Sequence, residues 1–149
     1  MVSSFQKGET LSKLKLFLYF CGMENNERHE EWFFQSDYDL ETAFDMLKTG
    51  RNIYCIFMCH LSLEKALKGL FVKTTNEYPP KSHNLLYFVE RINLTMNALQ
   101  YDFLFMLNKI SVPTRYPEDL RKLFASYTPE RTELILNQTK DLQSWIKQQ

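Results

Sequence analysis

The chain has 149 residues, 18 Lys+Arg against 18 Asp+Glu, three Cys and 22 aromatic side chains. Its nine Gly plus Pro are about half the average share, which excludes collagen-like, disordered and turn-rich sandwich chains and leaves one ordinary domain. A formal charge of zero excludes a protein that holds nucleic acid through a general basic excess.

Leucine sets the expected fold class. There are 21 Leu against ten Val plus Ile, a bias toward straight-chain helix formers, so an all-α protein is expected. An odd number of cysteines in a chain large enough to be stabilised by burial reads as reduced thiols of a cytoplasmic protein. Residues 14–23 form an apolar run behind Lys13 and Lys15, but ten residues fall short of the roughly 20 a bilayer needs. No A-x-A-like cleavage site follows that run, and Cys21 lacks the small residues that precede a lipidated cysteine. Residues 1–24 therefore read as an N-terminal extension to a helical domain spanning 25–149, with no membrane partner.

Within the domain, Asn25 and Asn26 suit a helix N-terminus, Glu27, Glu30 and Glu31 place negative charge in its first turns, and Thr49-Gly50 supplies a stop. Trp32, Leu40, Ala43, Met46 and Leu47 recur at helical spacing among Asp37, Glu41, Asp45 and Lys48, so one face of this helix is wet. Residues 51–73 contain no proline and open with seven consecutive apolar residues, Ile53 to Cys59. Their length favours a central helix surrounded by others over a strand. Asn76 and Pro79-Pro80 break the chain, Ser82 is expected to cap a third helix from about residue 83 to 92, and a fourth runs from about 95 to 110. Pro113 and Pro117 bound a rigid connection holding Thr114-Arg115-Tyr116, residues 118–126 make one or two turns, and Thr128-Pro129 opens a last helix. About five helices in one up-and-down bundle follow.

Glycine-rich phosphate loops, H-E-x-x-H, G-x-S-x-G and C-x-x-C are missing. Cys55, Cys59 and His60 hint at a metal, but both cysteines lie in the most apolar stretch and His60 turns about 100° from Cys59 on a helix. Core packing is expected there, with no metal and no other cofactor. His60, Glu64 and Lys68, four apart, make one polar stripe on an otherwise apolar helix. Two readings stay open: a solvated edge with an ordinary Glu-to-Lys pair, or a cleft wall on which Lys68 meets an anion. Arg115 and Tyr116, between two prolines, are held either toward a phosphate or carboxylate or toward helix-end carbonyls. His83 sits at an expected helix start, where local capping and ligand binding explain it equally. Phe33, Phe34, Phe103 and Phe105 cannot all face one interior stripe, so some are expected at a dimer interface.

Taken in order, Trp32 and Asp39-Leu40, the run Glu64-Lys65-Ala66-Leu67-Lys68, His83 before a Leu-rich helix, and Arg115-Tyr116-Pro117 resemble the HEPN family over roughly residues 26–147. The name stands for higher eukaryotes and prokaryotes nucleotide-binding. The resemblance implies a bundle of about five helices with a long antiparallel first pair, commonly a homodimer and often paired with a minimal nucleotidyltransferase in toxin–antitoxin-like modules. Many members are metal-independent ribonucleases with an R-x(4–6)-H motif. That motif is absent: no arginine stands at 53–55, 76–78 or 22–24, ahead of His60, His83 and His29.

The expected function is thus that of a homodimeric HEPN-like protein binding a nucleotide, RNA or a nucleotidyltransferase partner. Lys65, Lys68 and Arg115 would be its cations, with Glu64 beside them, His60 and His83 as hydrogen-bonding groups and Tyr116 as a surface for a base. One alternative is a ribonuclease with a divergent site, His60 or His83 as base and Arg115 or Lys68 as cation. A purely structural or regulatory dimer is the other. Residues 1–23 carry three Lys and one Glu, leaving 15 Lys+Arg against 17 Asp+Glu, so any contact with a nucleotide must come from a concentrated cluster.

Overall fold

A computed structural model describes residues 25–111 and 117–149, and every regular element among them is an α-helix. In chain order these are α1 (Asn25–Lys48), α2 (Asn52–Thr75), α3 (Leu85–Arg91), α4 (Ala98–Ser111), α5 (Pro117–Ser126) and α6 (Pro129–Lys147). The stretch expected to make one or two turns after Pro117 completes a helix of ten residues, which raises the count among the described residues to six.

Local chemistry explains the boundaries. Gly50, at φ 74°, ends α1 in the left-handed conformation: its N–H donates to the Leu47 carbonyl at 3.0 Å and that of Arg51 to the Met46 carbonyl at 2.7 Å. The next helix starts at Asn52, so two helices of 24 residues, each about 36 Å long, must run antiparallel. Asn84, and not Ser82, caps α3: its side chain accepts from the Leu86 N–H at 3.1 Å. Ser82 instead accepts from the Asn84 N–H at 3.2 Å, shaping the approach to the cap. A reciprocal box opens α4, where Asn97 Oδ1 accepts from the Gln100 N–H at 2.9 Å and Gln100 Oε1 from the Asn97 N–H at 3.0 Å. Thr128 caps α6 as expected, accepting from the Arg131 N–H with Pro129 at the first helical position.

The middle of the bundle is α2, against which all five other helices pack. That surround explains a sequence apolar on nearly every side. Cys55 and Cys59 are wholly buried in it as small hydrophobes, and no group of residues suited to a metal ion occurs among the described residues. The hydrogen bond with Cys55 pushes the Cys59 thiol up, and burial adds to it.

Small side chains bring α1 close. Ser36 Oγ donates to the Ser62 carbonyl at 2.7 Å, and Ser62 Oγ donates to the Ser36 carbonyl at 2.9 Å. A Cβ added to Gly69 would lie 2.6 Å from the Phe33 ring. Gln143 of α6 completes the clasp, donating to Ser36 Oγ at 3.0 Å and to Asp37 Oδ1 at 2.9 Å, and Lys147 binds Asp37 at 2.7 Å. Buried hydroxyls and a buried amide are thereby satisfied at the junction of three helices. Of the rings expected to diverge, Phe103 is buried while Phe34 and Phe105 are exposed. No helix among the described residues is long and apolar enough to cross a membrane.

Candidate functional site

The polar stripe of α2 is buried, which overturns the reading of a solvated edge: His60, Glu64 and Lys68 are 0 %, 1 % and 7 % exposed. Two carbon-rich walls close over it. Lys68 Nζ lies 5.5 Å from the centre of the Trp32 ring on α1 and 5.7 Å from that of Phe88 on α3, distances at which an ammonium is attracted to a ring face. The anion that Lys68 meets is on its own helix: Nζ donates to Glu64 Oε1 at 2.7 Å. The second carboxylate oxygen, Oε2, is 3.0 Å from His83 Nδ1 and 4.0 Å from His60 Nδ1.

Glu64 is therefore the hub. Burial alone drives its carboxyl up, but the hydrogen bonds from Lys68 and His83, with their charges, outweigh burial and hold it below the usual glutamate range. An ionised carboxylate can only accept, so His83 Nδ1 is the N–H donor and Nε2 is the ring nitrogen left for other partners. His83 belongs to the connection before α3, and 67 % of its side chain is exposed. The cluster thus runs from a buried ion pair outward to an imidazole in contact with solvent. Next to it, Tyr78, 61 % exposed, meets Trp32 edge to face at 6.3 Å between ring centres.

Lys65 turns elsewhere. Its Nζ is 3.8 Å from Asp39 Oδ2 and 3.4 Å from Gln35 Oε1, so it ties α2 to α1 and does not join Lys68. Burial holds the Asp39 carboxyl above the usual aspartate range; Lys65 opposes that effect and the charge of Glu64 adds to it. Arg115 and Tyr116 lie outside the described residues. Sequence reasoning brought forward His60, Glu64, Lys68 and His83 but missed Tyr78 as the exposed ring beside them and Trp32 as the wall over Lys68. The signal for Tyr78 was its place ahead of Pro79-Pro80, where a bulky ring is held on an extended backbone.

Two cavities lie away from this cluster. One of about 200 Å³ sits between α4 and α6, lined by Leu99, Phe103, Gln138 and Leu142 among others. Another, of about 560 Å³, is lined by Met46, Thr49, Arg51, Tyr54 and Met58.

Fold and cluster together define an all-α domain built on a long antiparallel pair, with a histidine-topped ion pair set into its second helix. The chain belongs to the HEPN domain family, whose model matches residues 29–149. Its fold is similar to that of TT1696 from Thermus thermophilus, with a TM-score of 0.70 and 22 % identity over 81 % of this chain and 97 % of that one. It is also similar to ST0689, an archaeal HEPN homologue, with a TM-score of 0.61 and 23 % identity over 80 % of this chain and 95 % of that one. Comparison with curated proteins gave no match.

Proposed function

We propose that this HEPN-domain protein binds a nucleotide, or the backbone of single-stranded RNA, on the face formed by Trp32, Lys68, Tyr78 and His83. The observation that carries this reading is the convergence of Lys68 and His83 on Glu64 beside the exposed ring of Tyr78. Tyr78 offers a π-face to a base. His83 in its protonated form presents Nε2–H to a phosphate oxygen while Nδ1 stays on Glu64, with the buried Lys68 ammonium behind it, and charge-assisted bonds of that kind are the strong ones. Glu64 offsets one of the positive charges, so affinity rests on stacking as well as on charge. The homodimer and the minimal nucleotidyltransferase partner of a toxin–antitoxin-like module belong to the same proposal and rest on the family resemblance.

The test is fluorescence anisotropy of a labelled single-stranded RNA decamer, together with competition by AMP. His83→Ala and Tyr78→Ala, both at exposed positions, are expected to weaken binding about tenfold each, the loss of one stacked ring or one charge-assisted bond. Unchanged binding in both variants would overturn the assignment.

One observation favours a second reading, a divergent metal-independent ribonuclease. Glu64, accepting from Nδ1, orients the His83 ring and leaves Nε2 as its outer nitrogen, the geometry a general base requires. RNA cleavage that persists in a chelator and disappears in His83→Ala is its expected signature; cleavage indifferent to His83 would remove it.

A further inference from the structure

Away from the Glu64 cluster, α1 carries a second ordered surface. Glu30, Glu31, Phe34, Tyr38, Glu41 and Asp45 are all exposed. At about 100° per residue these six fall within one arc of roughly 100° on the helix. Trp32, two residues before Phe34, turns about 160° away and lies over Lys68. Phe34 and Tyr38 are each 65 % exposed and sit one turn apart, so their rings form a continuous apolar strip. A soluble domain gains nothing from hydrating two adjacent large rings, and such strips mark contact surfaces.

The charges around the rings decide what fits. Four carboxylates flank them. Of the basic residues on α1, Arg28 turns about 160° from Glu30, and Lys48 is 3.3 Å from Asp45. A two-fold pairing of this face with itself would set the carboxylates Glu30, Glu31, Glu41 and Asp45 of one copy against those of the other, and like charges brought together in this way disfavour association. RNA is repelled for the same reason. We infer that the outward face of α1 docks a basic amphipathic helical segment of a partner protein, whose apolar residues cover Phe34 and Tyr38 while its Lys or Arg side chains meet the four carboxylates. Helix-in-groove recognition of this type reads anchors at i and i+4. The nucleotide-binding face lies on the other side of α1, so the two can be tested separately.

The experiment is titration of the ¹⁵N-labelled full chain with a synthetic lysine–leucine amphipathic helix of about 16 residues, enough to cover the roughly 23 Å from Glu30 to Asp45. A glutamate–leucine peptide of equal length is the control. The basic peptide is expected to bind with shift changes confined to the outward face of α1, and the acidic one is expected not to. Phe34→Ser and Tyr38→Ser should each weaken binding by about tenfold, and so should the double reversal Glu31→Lys/Glu41→Lys. Both rings are solvent-exposed, so these variants keep the fold, which the same spectra verify. Binding indifferent to Phe34 and Tyr38 would reduce the face to general electrostatics and overturn the inference. So would absence of binding, or a sedimenting dimer that dissociates on Phe34→Ser, since the occupant would then be a second copy.

Discussion

Lys68→Met and Glu64→Gln test whether the buried ion pair is held together as described. Both side chains are inside, with the Glu64 and Lys68 side chains 2 % and 9 % exposed, so solvent screens little of either charge. Removing one partner strands the other in an apolar wall, and such losses run to about 3–5 kcal/mol. Lys68→Met should approach the upper part of that range, because the remaining partner of Glu64, His83, is largely exposed and screened by water. Glu64→Gln should fall lower, because Lys68 keeps the faces of Trp32 and Phe88. The double variant, which buries no charge, should lose less than the sum of the two by about 2–4 kcal/mol. Urea unfolding followed by circular dichroism measures all three; at this chain length a loss of about 3 kcal/mol also lowers Tm by roughly 6–12 °C. Single losses under about 1 kcal/mol that simply add would refute the reasoning.

Acid should unfold the chain through the same hub. Because the folded pKa of Glu64 lies below its ordinary value of 4.5, its contribution is complete above that value and is lost as pH falls through the folded pKa, a loss that Glu64→Gln should not show. Asp39 has the opposite sign: burial raises its folded pKa, so Asp39→Asn should raise Tm at pH 7, with the gain shrinking as pH falls through that pKa. Gly69→Ala should destabilise by about 1–3 kcal/mol in spite of better helix propensity, because the new Cβ meets the Phe33 ring at 2.6 Å; a gain in Tm would contradict this close approach. Ser36→Ala should cost about 1–3 kcal/mol by depriving buried partners of a hydrogen bond, namely the Ser62 carbonyl, which loses its donor, and the Gln143 amide, which loses one of its acceptors. Adding Ser62→Ala should cost less than a second full increment.

Leucine content, the proline-free run through α2 and the signals at Gly50 and Thr128 made most of the helical order readable, because those features act within a turn or two of chain. Asn84 displaced Ser82 as the cap of α3 through a tertiary contact: Asn108 of α4 donates to Asn84 Oδ1 at 3.0 Å, and its own Oδ1 accepts from the Leu85 N–H at 3.1 Å. Spacing placed His60, Glu64 and Lys68 on one face, yet the burial of that face depends on Trp32 from 32 residues before Glu64 and Phe88 from 24 after it. No local period encodes such closure. Lys65 shows the same limit from the other side: adjacent to Glu64 in sequence, it faces Asp39 across the helix pair.

The central claim, that ligand binds where Lys68 and His83 converge beside Tyr78, is tested most directly by chemical-shift mapping of the ¹⁵N-labelled full chain with AMP and a short single-stranded RNA. The largest changes are expected on the Trp32 indole N–H, on the backbone from Tyr78 to His83 and on α3, and they should vanish in His83→Ala. Changes concentrated instead at the cavity of Met46, Tyr54 and Met58, or surviving undiminished in His83→Ala, would contradict it.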